Sequence, residues 1–202
     1  MRPDLRFAAV ALAAVFAFSC RTGRPDGVAI APLTATSADE AMRQLRERRD
    51  HFDGLRSLMR VRTTTNGKTQ SFRAQLNVHD ARRMELTAYT PVGTTALTLT
   101  ANGEIVSVQN RIEGSEWEGS AADLARSIGF LGAGLTPAEM GMLIAGLPPR
   151  DDVQYDVDPA GLRSATFGGV VVTFDPPSFP AQHVVIARGE DRVEIEHLEV
   201  VR

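Results

Sequence analysis

The sequence predicts an α+β domain in which a large antiparallel sheet curls, and two short helices in the middle of the chain pack on its apolar face. Three observations carry that prediction. From Leu55 onward apolar and polar residues alternate with period two, as where Phe72, Ala74, Leu76 and Val78 interleave with Ser71, Arg73, Gln75 and Asn77. Turn signals such as Asn66-Gly67 and Asn102-Gly103 separate these runs at hairpin spacing. The strand pattern is interrupted once, between Ser120 and Gly146, where helix-start and helix-stop signals take over.

The chain has 202 residues, 22 basic and 25 acidic, for a net charge of −3. With no basic excess, nucleic acid is not an expected partner, and electrostatic adhesion to anionic lipid is not expected either. Any membrane link must therefore be covalent or hydrophobic. Arg2 and Arg6 precede an uninterrupted apolar run from Phe7 to Phe18, then Ser19 and Cys20, the one cysteine of the chain. A run of about 12 residues is short of the roughly 20 that cross a bilayer, so 1–19 reads as a signal peptide. Ala17-Phe18-Ser19-Cys20 looks like a bacterial lipobox, with alanine where leucine is usual. That resemblance implies an acylated Cys20, and Arg21, which is not Asp, implies sorting to the outer membrane.

Arg21–Thr36 is rich in Gly, Pro, Thr and Ala without periodicity and reads, with Cys20, as a flexible tether over 20–36. The folded domain is expected over 37–202. Ser37 with Glu40 forms a capping-box signature, and Ala41, Met42 and Leu45 give the ensuing helix a thin apolar stripe, which suggests a surface position. Strands are expected over Leu55–Thr65 and Thr69–His79, and two more between Arg83 and Ala101. A fifth, Glu104–Asn110, completes a meander. Ser120 with Asp123 starts a short helix whose Leu124, Ala125, Ile128 and Leu131 share a face, and Gly129, Gly132 and Gly134 loosen its far end. Thr136-Pro137-Ala138-Glu139 starts another helix, apolar on more than one face through Met140, Met142, Leu143 and Ile144, and Gly146 with Pro148-Pro149 ends it. Five further strands are expected: Val153–Val157, Leu162–Phe167, Val170–Phe174, Gln182–Arg188 and Arg192–Val201. This makes about ten strands and three helices.

The hairpin within Arg83–Ala101 has an unusual tip. Thr90-Pro91-Val92-Gly93 places an apolar Val92 where turns favour small or polar residues. By itself such a valine is either a tolerated exposed residue, one tucked sideways, or a functional projection.

Chemistry-bearing patterns are sparse. His51, His79, His183 and His197 have no carboxylate or cysteine at metal-ligand spacing, so neither a metal nor a cofactor is expected. Neither H-E-x-x-H nor G-x-S-x-G occurs. Asp151-Asp152 and Asp156/Asp158 flank turns, where Asp is expected, and the chain reads as a non-enzyme. Trp117 reads as a packing residue at a helix entry, with a ligand site as the alternative. A curled sheet covered by a Met-rich helix encloses either an apolar cavity or an ordinary filled core, and periodicity does not separate the two.

The run TPVGTTALTLTANGEIVSVQNRIEGSEWEGSAADLARSIGFLGAGLTPAEMGMLIAGLP, Thr90–Pro148, resembles the LolA/LolB family of lipoprotein carriers, LolB most closely, in the order of its motifs: the Pro-apolar-Gly tip, the Trp117 stretch leading into a capped helix, and a second helix ending in Ala145-Gly146-Leu147-Pro148. The resemblance implies an incomplete, half-open antiparallel β-barrel of ten to eleven strands, with helices closing its apolar face. It also implies a hydrophobic interior for the acyl chains of cargo lipoproteins, a LolA-like periplasmic carrier as partner, and a monomer on the periplasmic face of the outer membrane. Pro91, Val92 and Gly93 would form the protruding apolar loop that helps insert cargo, with valine standing where leucine is typical. The expected cavity lining is Phe72, Leu76, Met84, Leu86, Leu97, Leu99, Met140, Leu143 and Ile144, with Gly129–Gly134 as a lid hinge. The alternative expectation is a structural or interaction lipoprotein of the same fold with a filled core.

Overall fold

The computed structural model describes residues 27–127 and 134–202, so Cys20, Ile128, Leu131 and the expected hinge up to 133 lie outside the described residues. The elements are α1 (Ala38–Asp50), β1 (Leu55–Thr65), β2 (Lys68–Val78), β3 (Arg83–Tyr89), β4 (Thr95–Asn102), β5 (Ile105–Asn110), β6 (Ser115–Ser120), α2 (Ala121–Ser127), α3 (Pro137–Ile144), β7 (Gln154–Asp158), β8 (Gly161–Phe167), β9 (Val170–Phe174), β10 (His183–Arg188) and β11 (Asp191–Val201). The strands form one 11-stranded sheet in the order β6-β5-β4-β3-β2-β1-β11-β10-β9-β8-β7. Every neighbouring pair is antiparallel. Two meanders, each built from local hairpins, are thus joined by one long-range pairing of β1 with β11, and the sheet stays open at β6 and β7.

The eleventh strand, β6, corrects one expectation. Trp117 is not at a helix entry but within β6, opposite Val108 of β5, and it is 38% exposed. Only alternate residues of β6 face the sheet interior, and it carries Glu116 and Glu118 between them, so its apolar signal is a single tryptophan.

α1 also lies deeper than its thin stripe suggested. Ala41 and Leu45 are completely buried, and the helix packs against β7 and β8. Ala41 and Leu45 lie one turn apart on the buried side with half-buried Met42 beside them, while Asp39, Arg43, Arg46 and Glu47 face water. Ser37 Oγ accepts from Glu40 N at 3.2 Å, while the Glu40 carboxylate reaches back to Thr36 N at 2.9 Å. Arg46 and Arg49 both donate to Asp151 Oδ1 at 3.0 Å, which fastens α1 beside the start of β7.

α3 has the full capping box, Thr136 Oγ1 accepting from Glu139 N at 3.2 Å and Glu139 Oε2 accepting from Thr136 N at 2.7 Å. It packs against β2, β3 and β4. Gly146, at φ +93°, ends the helical path in a conformation that side chains with a Cβ rarely adopt.

Candidate functional site: the inner face of the sheet and its uncovered end

Strand register assembles the inner face into cross-strand rows. One row runs Val78, Met84, Ala101, Val106 and Gly119 across β2 to β6. The next runs Leu76, Leu86, Leu99, Val108 and Trp117. A third runs Ala74, Ala88, Leu97, Asn110 and Ser115. Such alignment follows from period-two patterning, because a one-residue slip would turn each apolar set to water.

The three rows differ in cover. α3 lies over the first and the β2 end of the second: a Cβ on Gly141 would stand 2.8 Å from Val78 Cγ2, 3.6 Å from Leu76 Cδ1 and 3.8 Å from the Met84 sulfur. Val78, Met84, Ala101 and Val106 are buried accordingly. In the second and third rows Leu86, Val108, Ala88 and Leu97 are only half-buried, as is Phe72 beyond them on β2. The inner face is therefore packed under α3 and partly open toward the β3–β4 turn.

Of the nine residues expected to line a cavity, Leu76, Met84, Leu99, Met140 and Leu143 are buried in the core, while Phe72, Leu86, Leu97 and Ile144 are half-buried against it. All nine belong to one apolar cluster. The clefts at the other end of the sheet are built from different residues. One, of about 370 Å³, lies among Ile30, Phe52, Leu55, Leu147 and Phe179, beside the Asp53–Arg202 ion pair.

At the open end stands the 90–94 turn. Thr90 N donates to Thr94 O at 2.8 Å, Gly93 N to Thr90 O at 2.9 Å, and Thr94 N to Thr90 Oγ1 at 3.2 Å. Gly93 takes φ +86°, which is why a glycine ends the tip. The turn is closed on itself and Val92 is 82% exposed. Of the alternatives its sequence left open, a side chain tucked sideways is excluded.

Sequence reasoning missed a polar pair on this face, one member of which is completely buried. Ser57, completely buried on β1, bonds His197 Nδ1 of β11 at 2.6 Å, and His197 Nε2 lies 3.0 Å from the carbonyl oxygen of Ile144. A carbonyl only accepts, so Nε2 carries the proton and Nδ1 accepts from the serine hydroxyl. Burial pushes His197 down to about 4. The signal that pointed to it was its position in an otherwise alternating strand, two residues beyond Ile195.

The carboxylates weighed for acid–base chemistry are engaged elsewhere. Asp158 accepts from Arg163 at 2.9 Å, and Arg49 beside Asp151 holds that carboxyl below the usual range.

The three-dimensional comparison adds what the strand order alone does not decide. A domain assigned to outer-membrane lipoprotein sorting, from Vibrio parahaemolyticus, superposes with a TM-score of 0.53 at 8% identity, covering 81% of this chain and 92% of that one. The chain shares the fold of that domain. A DUF1329 family protein from Desulfovibrio piger matches at 0.51 and 11% identity over 82% of this chain and 93% of that one. A LolA superfamily protein from Nitrosomonas europaea aligns over 83% and 94% at 8% identity, with a TM-score of 0.47. No family model matches the sequence, and no curated protein does. Within this fold the partly open end of the inner face, with Val92 beside it, is the feature to interpret.

Proposed function

We propose that this protein is a lipid-anchored envelope lipoprotein that shelters acyl chains of other lipoproteins on its inner face and helps insert them into the outer membrane. It would receive them from a LolA-like periplasmic carrier and be held at the membrane through acylated Cys20. The observation that carries this reading is the partly uncovered apolar surface formed by Phe72, Leu86, Leu97 and Val108, which opens toward the projecting Val92. The fold shared with a domain assigned to outer-membrane lipoprotein sorting supports it.

The energetics are consistent with such a role. Each acyl CH2 removed from water is worth about 0.8 kcal/mol, so a 16-carbon chain left in the periplasm costs on the order of 12 kcal/mol. A carrier needs an apolar surface to offset that cost, yet one shallow enough to release the chain to a bilayer. A half-covered face has this character. The buried residues Leu76, Met84, Leu99, Met140 and Leu143 would form its floor, and Phe72, Leu86, Leu97 and Ile144 its contact surface.

Val92→Glu should abolish lipoprotein insertion while thermal unfolding stays unchanged, because the side chain it replaces is exposed. Normal insertion by that variant would remove the role given to the loop. The tight packing under α3 favours a second reading, a structural lipoprotein with a filled core. Fatty-acid probe binding by the purified protein decides between them: uptake supports a carrier, and no uptake supports the structural role.

A further inference from the structure

The turn between β5 and β6 stands at the same end of the sheet as the Val92 tip. β4 and β5 pair directly, with Leu97 opposite Asn110, and Arg111 N donates to Ala96 O at 2.9 Å. The two hairpins are thus adjacent, their centres roughly 10 Å apart at ordinary strand spacing. This second turn carries Ile112, which is 72% exposed. The other turns at this end, Asn66-Gly67, Gly168-Gly169 and Gly189-Glu190, bear no large apolar residue.

Like the first tip, the second is closed on itself. Asn110 Oδ1 accepts from Ile112 N at 3.0 Å and from Glu113 N at 3.2 Å, and Asn110 Nδ2 donates to Glu113 Oε2 at 2.9 Å. Both turns therefore satisfy much of their own backbone hydrogen bonding while turning a branched apolar side chain outward. A loop that meets a lipid layer needs this combination, because a backbone polar group without a partner is costly there.

We infer that Val92 and Ile112 act together as a two-pronged contact with a lipid bilayer, so that the uncovered end of the inner face is held at the membrane surface. The inference rests on the lipoprotein-insertion reading above and extends it to a second residue. A protein partner fits the pair less well. Two narrow side chains offer a few hundred Å² at most, whereas a stable protein interface takes about 800 Å² from each side. Insertion of two projecting side chains into a fluid layer requires no complementary surface.

The chain has one tryptophan, Trp117, so a Trp117→Phe background permits a single reporter at each tip. In that full-length background Val92→Trp and Ile112→Trp should both be quenched in vesicles of phosphatidylethanolamine and phosphatidylglycerol containing brominated phosphatidylcholine. Asn66→Trp, on a polar turn of the same end, should be quenched several-fold less. In the native background, Ile112→Glu should lower lipoprotein insertion by on the order of tenfold, the effect of losing about 1.4 kcal/mol, with unchanged thermal unfolding, and Ile112→Leu should insert normally. Quenching at Val92→Trp with none at Ile112→Trp, or full insertion by Ile112→Glu, overturns the inference and leaves the single-loop reading standing. Quenching at both tips in a protein that inserts no lipoprotein sustains the bilayer contact and overturns the functional reading.

Discussion

His197 Nε2 donates to the carbonyl oxygen of Ile144 at 3.0 Å, tying β11 to the last residue of α3 across 53 positions of sequence. Since its Nδ1 accepts from the buried Ser57 hydroxyl at 2.6 Å, one imidazole joins β1, β11 and the covering helix. That helix decides how much of the inner face is covered, so the histidine is a determinant of the site although it lies outside the row of cavity-lining residues.

The pH dependence of stability follows from this ring. Its folded value of about 4 lies below the unfolded value near 6.5, so the unfolded chain binds the additional proton between the two. The contribution is fully present above about pH 6.5 and is lost as pH falls toward about 4, to the extent of about 3 kcal/mol. Urea midpoints measured across that window should fall with pH in the native protein. In His197→Leu the fall should be shallower, on a lower plateau, because the buried Ser57 hydroxyl and the Ile144 carbonyl lose their partner at a cost of about 1–3 kcal/mol each.

Gly141 sets how closely α3 approaches β2. In Gly141→Ala the new Cβ meets Val78 Cγ2 at 2.8 Å, closer than side chains tolerate. Such overpacking costs about 1–3 kcal/mol. Combining it with Val78→Ala should recover part of the loss, and a double-mutant cycle by chemical denaturation reads the coupling.

The start of α3 depends on Thr136. Thr136→Ala removes the oxygen that accepts from Glu139 N and should lower stability by about 1 kcal/mol. Thermal unfolding measures it, and Thr136→Ser should retain most of the stability.

Within the stretch expected to be a flexible tether, residues 28–33 are instead held against the domain. Arg48 donates to the carbonyls of Ala31 at 2.5 Å and Pro32 at 2.9 Å, and its guanidinium lies 4.7 Å from the Phe179 ring centre. Val28 and Arg202 exchange backbone hydrogen bonds just before it. Arg48→Ala should raise proteolytic cleavage between Gly27 and Thr36 by on the order of tenfold, the effect of losing about 1.4 kcal/mol of local closure. Limited proteolysis with the cleavage site mapped by mass spectrometry checks it.

Much of this was legible in the chain. β1 and β9 begin and end where alternation and turn signals place them, and Thr136, Glu139 and Gly146 mark α3 as their cap chemistry requires. β6 was not legible, because a strand with one large apolar residue among glutamates leaves no periodic trace. Ile112 escaped for a related reason: an isoleucine in a turn has no local signature that separates it from an incidental exposed residue.

The sequence by itself determined the alternation, the turns, the caps and the presence of an apolar residue at the β3–β4 tip, all of which depend on neighbours a few positions away. The outward projection of that residue was read from its exposure in the structure. Tertiary structure alone decided that β1 pairs with β11, that His197 turns inward to hold α3, that α3 covers one end of the inner face, and that Ile112 stands beside Val92. Those outcomes depend on contacts between residues far apart in the chain. Their energy comes from shared burial and register, which no local pattern encodes.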